Sequence, residues 1–279
     1  MKIVKKILMN QFLWDVANAE QFARRLSLYA RLRSKRLQVS WNQQTETFEV
    51  RQGEESAIHV SRPNRIKEKY LASSDRLGDM LHRYLLDDIT FSAGDVVVDV
   101  GANIGELSLS LFRRFDVFPV CCEPDPVEVK SLRQNLRDIP NMIFDSPLWD
   151  EVIERPFFLD NDRGDSSLFE QRQGCDSVLL RTETLDNIDG IISEKKGEFR
   201  IRLLKLEAEG AEPEILKGGK KMLHRVDFIA ADLGPERGKE KLNTIPECVN
   251  FLLEKNFSIS KVDAQKSIFL FEQKCQAKK

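Results

Sequence analysis

The sequence predicts an α/β fold: a doubly wound, seven-stranded, mostly parallel sheet behind an N-terminal helical and β-hairpin extension. Three observations predict it. Short β-branched runs alternate with segments whose apolar residues recur at helical spacing, as βα units require. The first of these runs, Val96 to Val100, ends in a glycine loop that opens a helix. The last two runs, 257–262 and 267–272, are joined by a short connection, which forces them antiparallel.

The elements follow in order. Residues 11–36 carry Phe12, Val16, Ala19, Ala23, Leu26 and Ala30 on one helical face, with the arginines elsewhere. Residues 37–41 alternate, 42–47 turn, and 48–50 resume, the pattern of a hairpin. Residues 58–60 add a short strand before Pro63 breaks the pattern, and 76–86 read as a helix. This extension spans 1–88, and the main domain spans 89–279. Its strands are 96–100, 117–122, 142–144, 200–206 and 226–231, followed by a helix over 245–253 and the antiparallel pair. After strand 117–122, Asp125 caps a helix, Pro126 suits its first turn, and Val129, Leu132 and Leu136 form its buried stripe. Residues 145–190 are polar and irregular, with short strands at 157–159 and 178–180.

Composition narrows the class. The chain has 279 residues, 41% hydrophobic and 32% charged, ordinary for a globular protein, and its net charge is −2. No bulk affinity for a polyanion follows. Residues 1–40 nevertheless carry +7, leaving −9 for the rest. Packing of the Phe12/Val16/Leu26 stripe on the sheet accounts for this helix most simply. Peripheral contact with an anionic membrane leaflet or an acidic glycan is the alternative reading. Five cysteines without a C-x-x-C pair fit reduced thiols rather than a disulfide framework or a zinc site, and three scattered histidines predict no metal site. No apolar run reaches the ~18 residues that span a bilayer, and no signal-peptide pattern opens the chain, so the expected location is cytoplasmic.

The chemistry concentrates in three blocks. In the first, Asp99 stands at the mouth of the loop Gly101-Ala102-Asn103-Ile104-Gly105. A strand, a glycine turn and a helix present backbone N–H groups to a ligand. The second block is Glu123-Pro124-Asp125-Pro126. Glu123 lies at the end of the next strand, 22 residues after Gly101, where an acid reaches ribose hydroxyls. The loop lacks the G-x-G-x-x-G of a dinucleotide site, and a carboxylate at its mouth repels a pyrophosphate. It accepts a cationic amino-acid tail and a sulfonium, which points to S-adenosylmethionine (SAM). Gly101, Ala102, Asn103 and Gly105 then approach the methionine moiety, Asp99 faces its ammonium and Glu123 holds the ribose. Asp145, Ser146 or Trp149, after the third strand, are positioned for the adenine. The third block, from Lys205 to Gly219, follows the fourth strand. Glu207 and Glu209 sit at that strand's carboxyl end, with Asp232 past the fifth strand facing the same crevice. These three are the candidate bases. His224 is a weaker candidate, and Glu212 and Glu214 read as helix-start acids.

Together the blocks resemble the FkbM family of SAM-dependent methyltransferases over roughly residues 90–235. This chain departs from the family pattern in having Glu207-Ala208 where Asp-Val is usual. The resemblance implies a class I, Rossmann-like methyltransferase and O-methylation of a hydroxyl on a sugar, glycan or natural-product acceptor, with SAM as cofactor. Nucleic acid is disfavoured as an acceptor, because the Asn/Asp-Pro-Pro-aromatic block is missing and the core domain is acidic. The alternatives are another nucleotide-dependent Rossmann-like enzyme and a non-catalytic binding module.

Overall fold

The computed structural model describes residues 18–33, 35–162 and 164–274. Helix α1 (Ala19–Leu32) starts where Asn18 Oδ1 accepts from the amide of Gln21, and it buries Phe22, Ala23, Leu26 and Ala30. Phe12 and Val16 of the expected stripe lie outside the described residues. The helix packs on an antiparallel sheet of β1 (Leu37–Asn42), β2 (Thr47–Gln52) and β3 (Ile58–Val60). The strand pattern ends at Val60, before Pro63, as expected. Pro63 opens a helical turn, Pro63–Arg65, that continues as a π-helical turn, Ile66–Tyr70. A proline suits that position, since its missing N–H would have no helical partner there. The helix expected over 76–86 is shorter, α2 (Gly78–Arg83).

The main sheet follows. β4 (Val96–Val100) leads into α3 (Glu106–Phe115), and β5 (Phe118–Cys122) leads into α4 (Pro126–Asn135), whose cap is Asp125 accepting from the amide of Val127. β6 (Met142–Phe144) completes this half. β7 (Glu154–Phe158) and β8 (Ser177–Arg181) form a separate antiparallel pair. The sequence reading missed α5 (Leu185–Lys196), whose buried Leu185, Ile188 and Ile192 are interrupted by Gly190. β9 (Ile201–Leu206), the short α6 (Glu212–Lys217) and β10 (Val226–Asp232) return to the sheet. A small hairpin, β11 (Pro235–Arg237) and β12 (Leu242–Asn243), was also unforeseen. α7 (Ile245–Glu254), β13 (Phe257–Asp263) and β14 (Ile268–Gln273) close the fold.

The strand order is β13-β14-β10-β9-β4-β5-β6. The five strands from β6 to β10 are parallel, and β14 runs antiparallel to both β10 and β13. This is the seven-stranded sheet of a class I methyltransferase. The chain winds outward from β4 to β6, then returns to β9 on the other side of β4. A crevice opens at the carboxyl ends where the winding reverses.

The extension is not a separate core. Its buried side chains cluster with Ala102, Ile104, Leu109, Cys121, Leu132 and Leu136 of the sheet half. Asn135 ties the two together: its Oδ1 accepts from His59 N at 2.7 Å, and its Nδ2 donates to His59 O and Ile104 O. Met80, Leu81 and Tyr84 pack with Val97, Leu107 and Leu203 in the same way. The extension is thereby fixed above the crevice, close enough to line it.

Candidate active site

The crevice is a cavity of about 320 Å³. Gly101, Ala102, Asn103 and Glu123 line it, together with Asp99, Ser146, Glu207 and Glu209. Gly101 takes a φ of +70°, and a Cβ built there would meet Glu207 O at 1.8 Å. The loop therefore passes against β9 so closely that only glycine fits. Asn103 also has a positive φ, +50°, and its amide donates to Glu123 Oε2 at 2.8 Å. Glu123 Oε1 accepts from Asp125 N at 2.9 Å. A carboxylate offers about four lone-pair sites. Two are spent on fixing Glu123, and the other two remain for a diol. Burial pushes the Glu123 carboxyl up to about 7 against the pull of those two amides.

Four expected positions are corrected. Asp99 does not present a free carboxylate. Its Oδ2 accepts from Ser108 Oγ at 2.8 Å and its Oδ1 lies 3.3 Å from Lys205 Nζ, because Asp99 and Lys205 are register partners on β4 and β9. Gly105 does not line the cavity. It stands at φ +83°, where a Cβ would lie 2.7 Å from Leu132 Cδ1, so it lets α3 close on α4 behind the loop. Asp145 points to solvent, paired with Arg133, while Ser146 next to it turns inward. Trp149 is core: it packs near Phe169, with the Arg155 guanidinium 4.0 Å from its ring centroid.

The carboxylates at the strand ends differ sharply. Glu207 is fully engaged. Arg83 Nη2 donates to its Oε1 at 2.7 Å, Tyr84 Oη donates to its Oε2, and Lys205 Nζ lies 3.3 Å from that oxygen. Despite burial, Lys205, Arg83 and the tyrosine hydroxyl hold its carboxyl well below the usual range. Glu209, at φ +51°, has no such partners. Burial, then the nearby Glu236 and Asp165, drive its carboxyl well above the usual range. Asp232 lies outside the cavity wall, 3.4 Å from Arg83, and burial with the charge of Glu207 raises it to about 6. Glu236 is raised by burial and by Asp232 to about 8.

Glu212 and Glu214 are structural, as expected. Glu212 Oε1 accepts from Ala208 N and Gly210 N, fixing the loop that carries Glu209, and Glu214 pairs with Arg237 through two hydrogen bonds. His224 is exposed on a turn away from the cavity.

Sequence reasoning missed Lys205, Arg83 and Tyr84. Lys205 is 2% exposed, and its ammonium donates to Val100 O and Gly101 O at 3.0 and 2.7 Å. It ties the glycine loop to β9, and its carboxylate neighbours keep it charged, with its pKa raised. A lysine among Leu203, Leu204 and Leu206 of a core strand was the available signal. Arg65 and Arg76 were missed too. Both clamp Glu106, the first residue of α3, Arg65 at 2.5 Å and Arg76 through two bonds. Among the described residues no cluster of three or more metal-type ligands occurs. None of their helices is long and apolar enough to cross a membrane.

A cavity of this size, floored by a glycine loop and bearing a buried carboxylate with two open lone-pair sites, fits SAM. Comparison with known proteins agrees. The profile of the methyltransferase FkbM domain matches residues 99–259. No curated protein matches the chain. Among solved structures it is similar to a TehB-like SAM-dependent methyltransferase from Corynebacterium glutamicum ATCC 13032 Kitasato. There the identity is 13% and the TM-score 0.42, with 75% of this chain and 95% of that one covered. It is also similar to a ribosomal protein L11 methylase from Lactobacillus delbrueckii subsp. bulgaricus (9%, TM-score 0.41, 71% and 77% covered). A third is magnesium protoporphyrin IX methyltransferase from Synechocystis PCC 6803 with bound S-adenosylhomocysteine (10%, TM-score 0.40, 71% and 84% covered). With its matched profile and the class I strand order, this chain belongs to the FkbM methyltransferase family and is a SAM-dependent enzyme.

Proposed function

We propose that the enzyme methylates a hydroxyl group on a small-molecule or glycan acceptor, with Glu209, which lines the cavity, receiving the hydroxyl proton. The observation that carries this is the division of labour among the strand-end carboxyls. Glu207 is held ionised by Lys205, Arg83 and the Tyr84 hydroxyl, whereas burial raises Glu209 well above the usual carboxylate range. A base works best when its pKa lies near the operating pH, and a hydroxyl needs one more than a neutral amine does.

SAM supplies a methyl carbon already activated by its sulfonium. The chain's own residues then have two tasks, alignment and proton removal. In this reading Glu123 fixes the ribose, Ser146 borders the adenine and the Gly101–Asn103 backbone carries the methionine moiety. Arg83, Tyr84 and Lys205 hold Glu207 rigid as a positioning residue between cofactor and acceptor.

The test uses methyl-tritiated SAM with a panel of sugars, glycans and hydroxylated natural products. An alkali-stable methyl ether in the product supports the reading. Alkali-labile methanol release, or label on nitrogen only, refutes it. With the acceptor in hand, Glu209→Gln should lower turnover by ~10²–10⁴ with SAM affinity retained. Because the base acts deprotonated, turnover should rise with pH. A rise that Glu209→Gln abolishes identifies Glu209, and a rise that survives that substitution assigns the proton to another group.

A further inference from the structure

The end of the cavity beneath the extension holds more cationic donors than carboxylates to meet them. Arg65 and Arg76 share the single carboxylate of Glu106. Arg65 Nε is buried and has no hydrogen-bond partner. Lys69 lines the same wall, and among the described residues it forms no ion pair. Burial and the guanidiniums of Arg65, Arg83 and Arg76 push its ammonium down, and the pull of Glu207 does not compensate. Glu68, which also borders the cavity, is exposed and pairs with none of these cations. Half-buried cations crowded in this way are costly unless an anion joins them.

The geometry fixes where that anion comes from. Glu123 at the tip of β5 takes the ribose, and Ser146, Leu148 and Phe157 border the cavity beyond β6. A cofactor held in that way would extend from those residues past the tip of β4 toward Glu106 and the cations clamped to it. Its methionine end, which carries the cofactor's one anionic group, would meet them. We infer that Lys69 seats the α-carboxylate of SAM, so that the extension completes the cofactor site. This rests on the cofactor orientation given under the proposed function.

The experiment measures binding of S-adenosylhomocysteine and of its analogue with the α-carboxylate replaced by hydrogen, to wild type, Lys69→Met and Lys69→Arg. A charge-assisted contact at a half-exposed lysine corresponds to about a ten-fold change in Kd. Lys69→Met should weaken S-adenosylhomocysteine about ten-fold, leave the analogue unchanged and leave the ligand-free melting temperature unchanged, and Lys69→Arg should recover most of the loss. Equal weakening of both ligands, or of neither, overturns the inference. Glu123→Ala serves as the control on orientation. It should weaken both ligands equally, and if it does not, the ribose assignment fails independently of the Lys69 result.

Discussion

At the scale of single residues, the site depends on how carboxyls are solvated and paired. Glu123 carries the sharpest expectation. Its removal in Glu123→Ala should weaken SAM binding by ~1.5–3 kcal/mol, measured by isothermal titration. The pH dependence has a definite sign. In the ligand-free protein the carboxyl holds its proton up to about pH 7, and the ionised form offers a diol the better acceptor. SAM affinity should therefore climb between about pH 6 and 8 and then level off. Glu123→Gln should flatten that climb, and a wild-type affinity independent of pH over this range would contradict it. Lys205 shows the opposite arrangement. Asp99, Glu207 and two main-chain carbonyls surround a buried ammonium, and that pairing makes its burial tolerable.

At the scale of elements, the start of α3 closes against α4 at Gly105. Gly105 makes that closure, with a positive φ and no room for a Cβ beside Leu132. Gly105→Ala should cost about 1–3 kcal/mol from strain and overpacking combined, read from urea unfolding. An unchanged midpoint would mean that the helices shift apart without penalty. Strand and helix types in the sheet half were legible because each strand was a short apolar run and each helix had a regular stripe. Helix α5 was not, since Gly190 and a polar surface blur its stripe. The hairpin of β11 and β12 was not, since neither strand has an apolar face to bury: Leu242 is exposed and Pro235 and Glu236 offer no alternation.

At the scale of the whole molecule, extension and sheet share buried side chains and should unfold together. Leu26 is fully buried in α1, in the cluster that also contains Ile104 and Leu132. Leu26→Ala should destabilise by about 2–5 kcal/mol. The loss should appear as a lower midpoint of one cooperative transition seen alike by far-UV and near-UV circular dichroism. Two separated transitions would show that the extension unfolds alone. Saturating SAM should raise that same midpoint by mass action.

What the sequence determined by itself was the sheet, the cofactor and the order of the three chemical blocks. These follow from local patterns: period-two and helical spacing, a glycine loop after a strand, and an acid at the next strand end. Tertiary structure decided which carboxylates are available. Asp99, Glu207 and Glu209 look alike in sequence, yet Lys205 takes the first, Arg83, Tyr84 and Lys205 take the second, and the third is left to burial. Arg83 and Tyr84 come from the extension, more than a hundred residues away, and Lys205 reaches Asp99 from the neighbouring strand. Charge pairing at a site depends on distance in space, and no spacing along the chain encodes it.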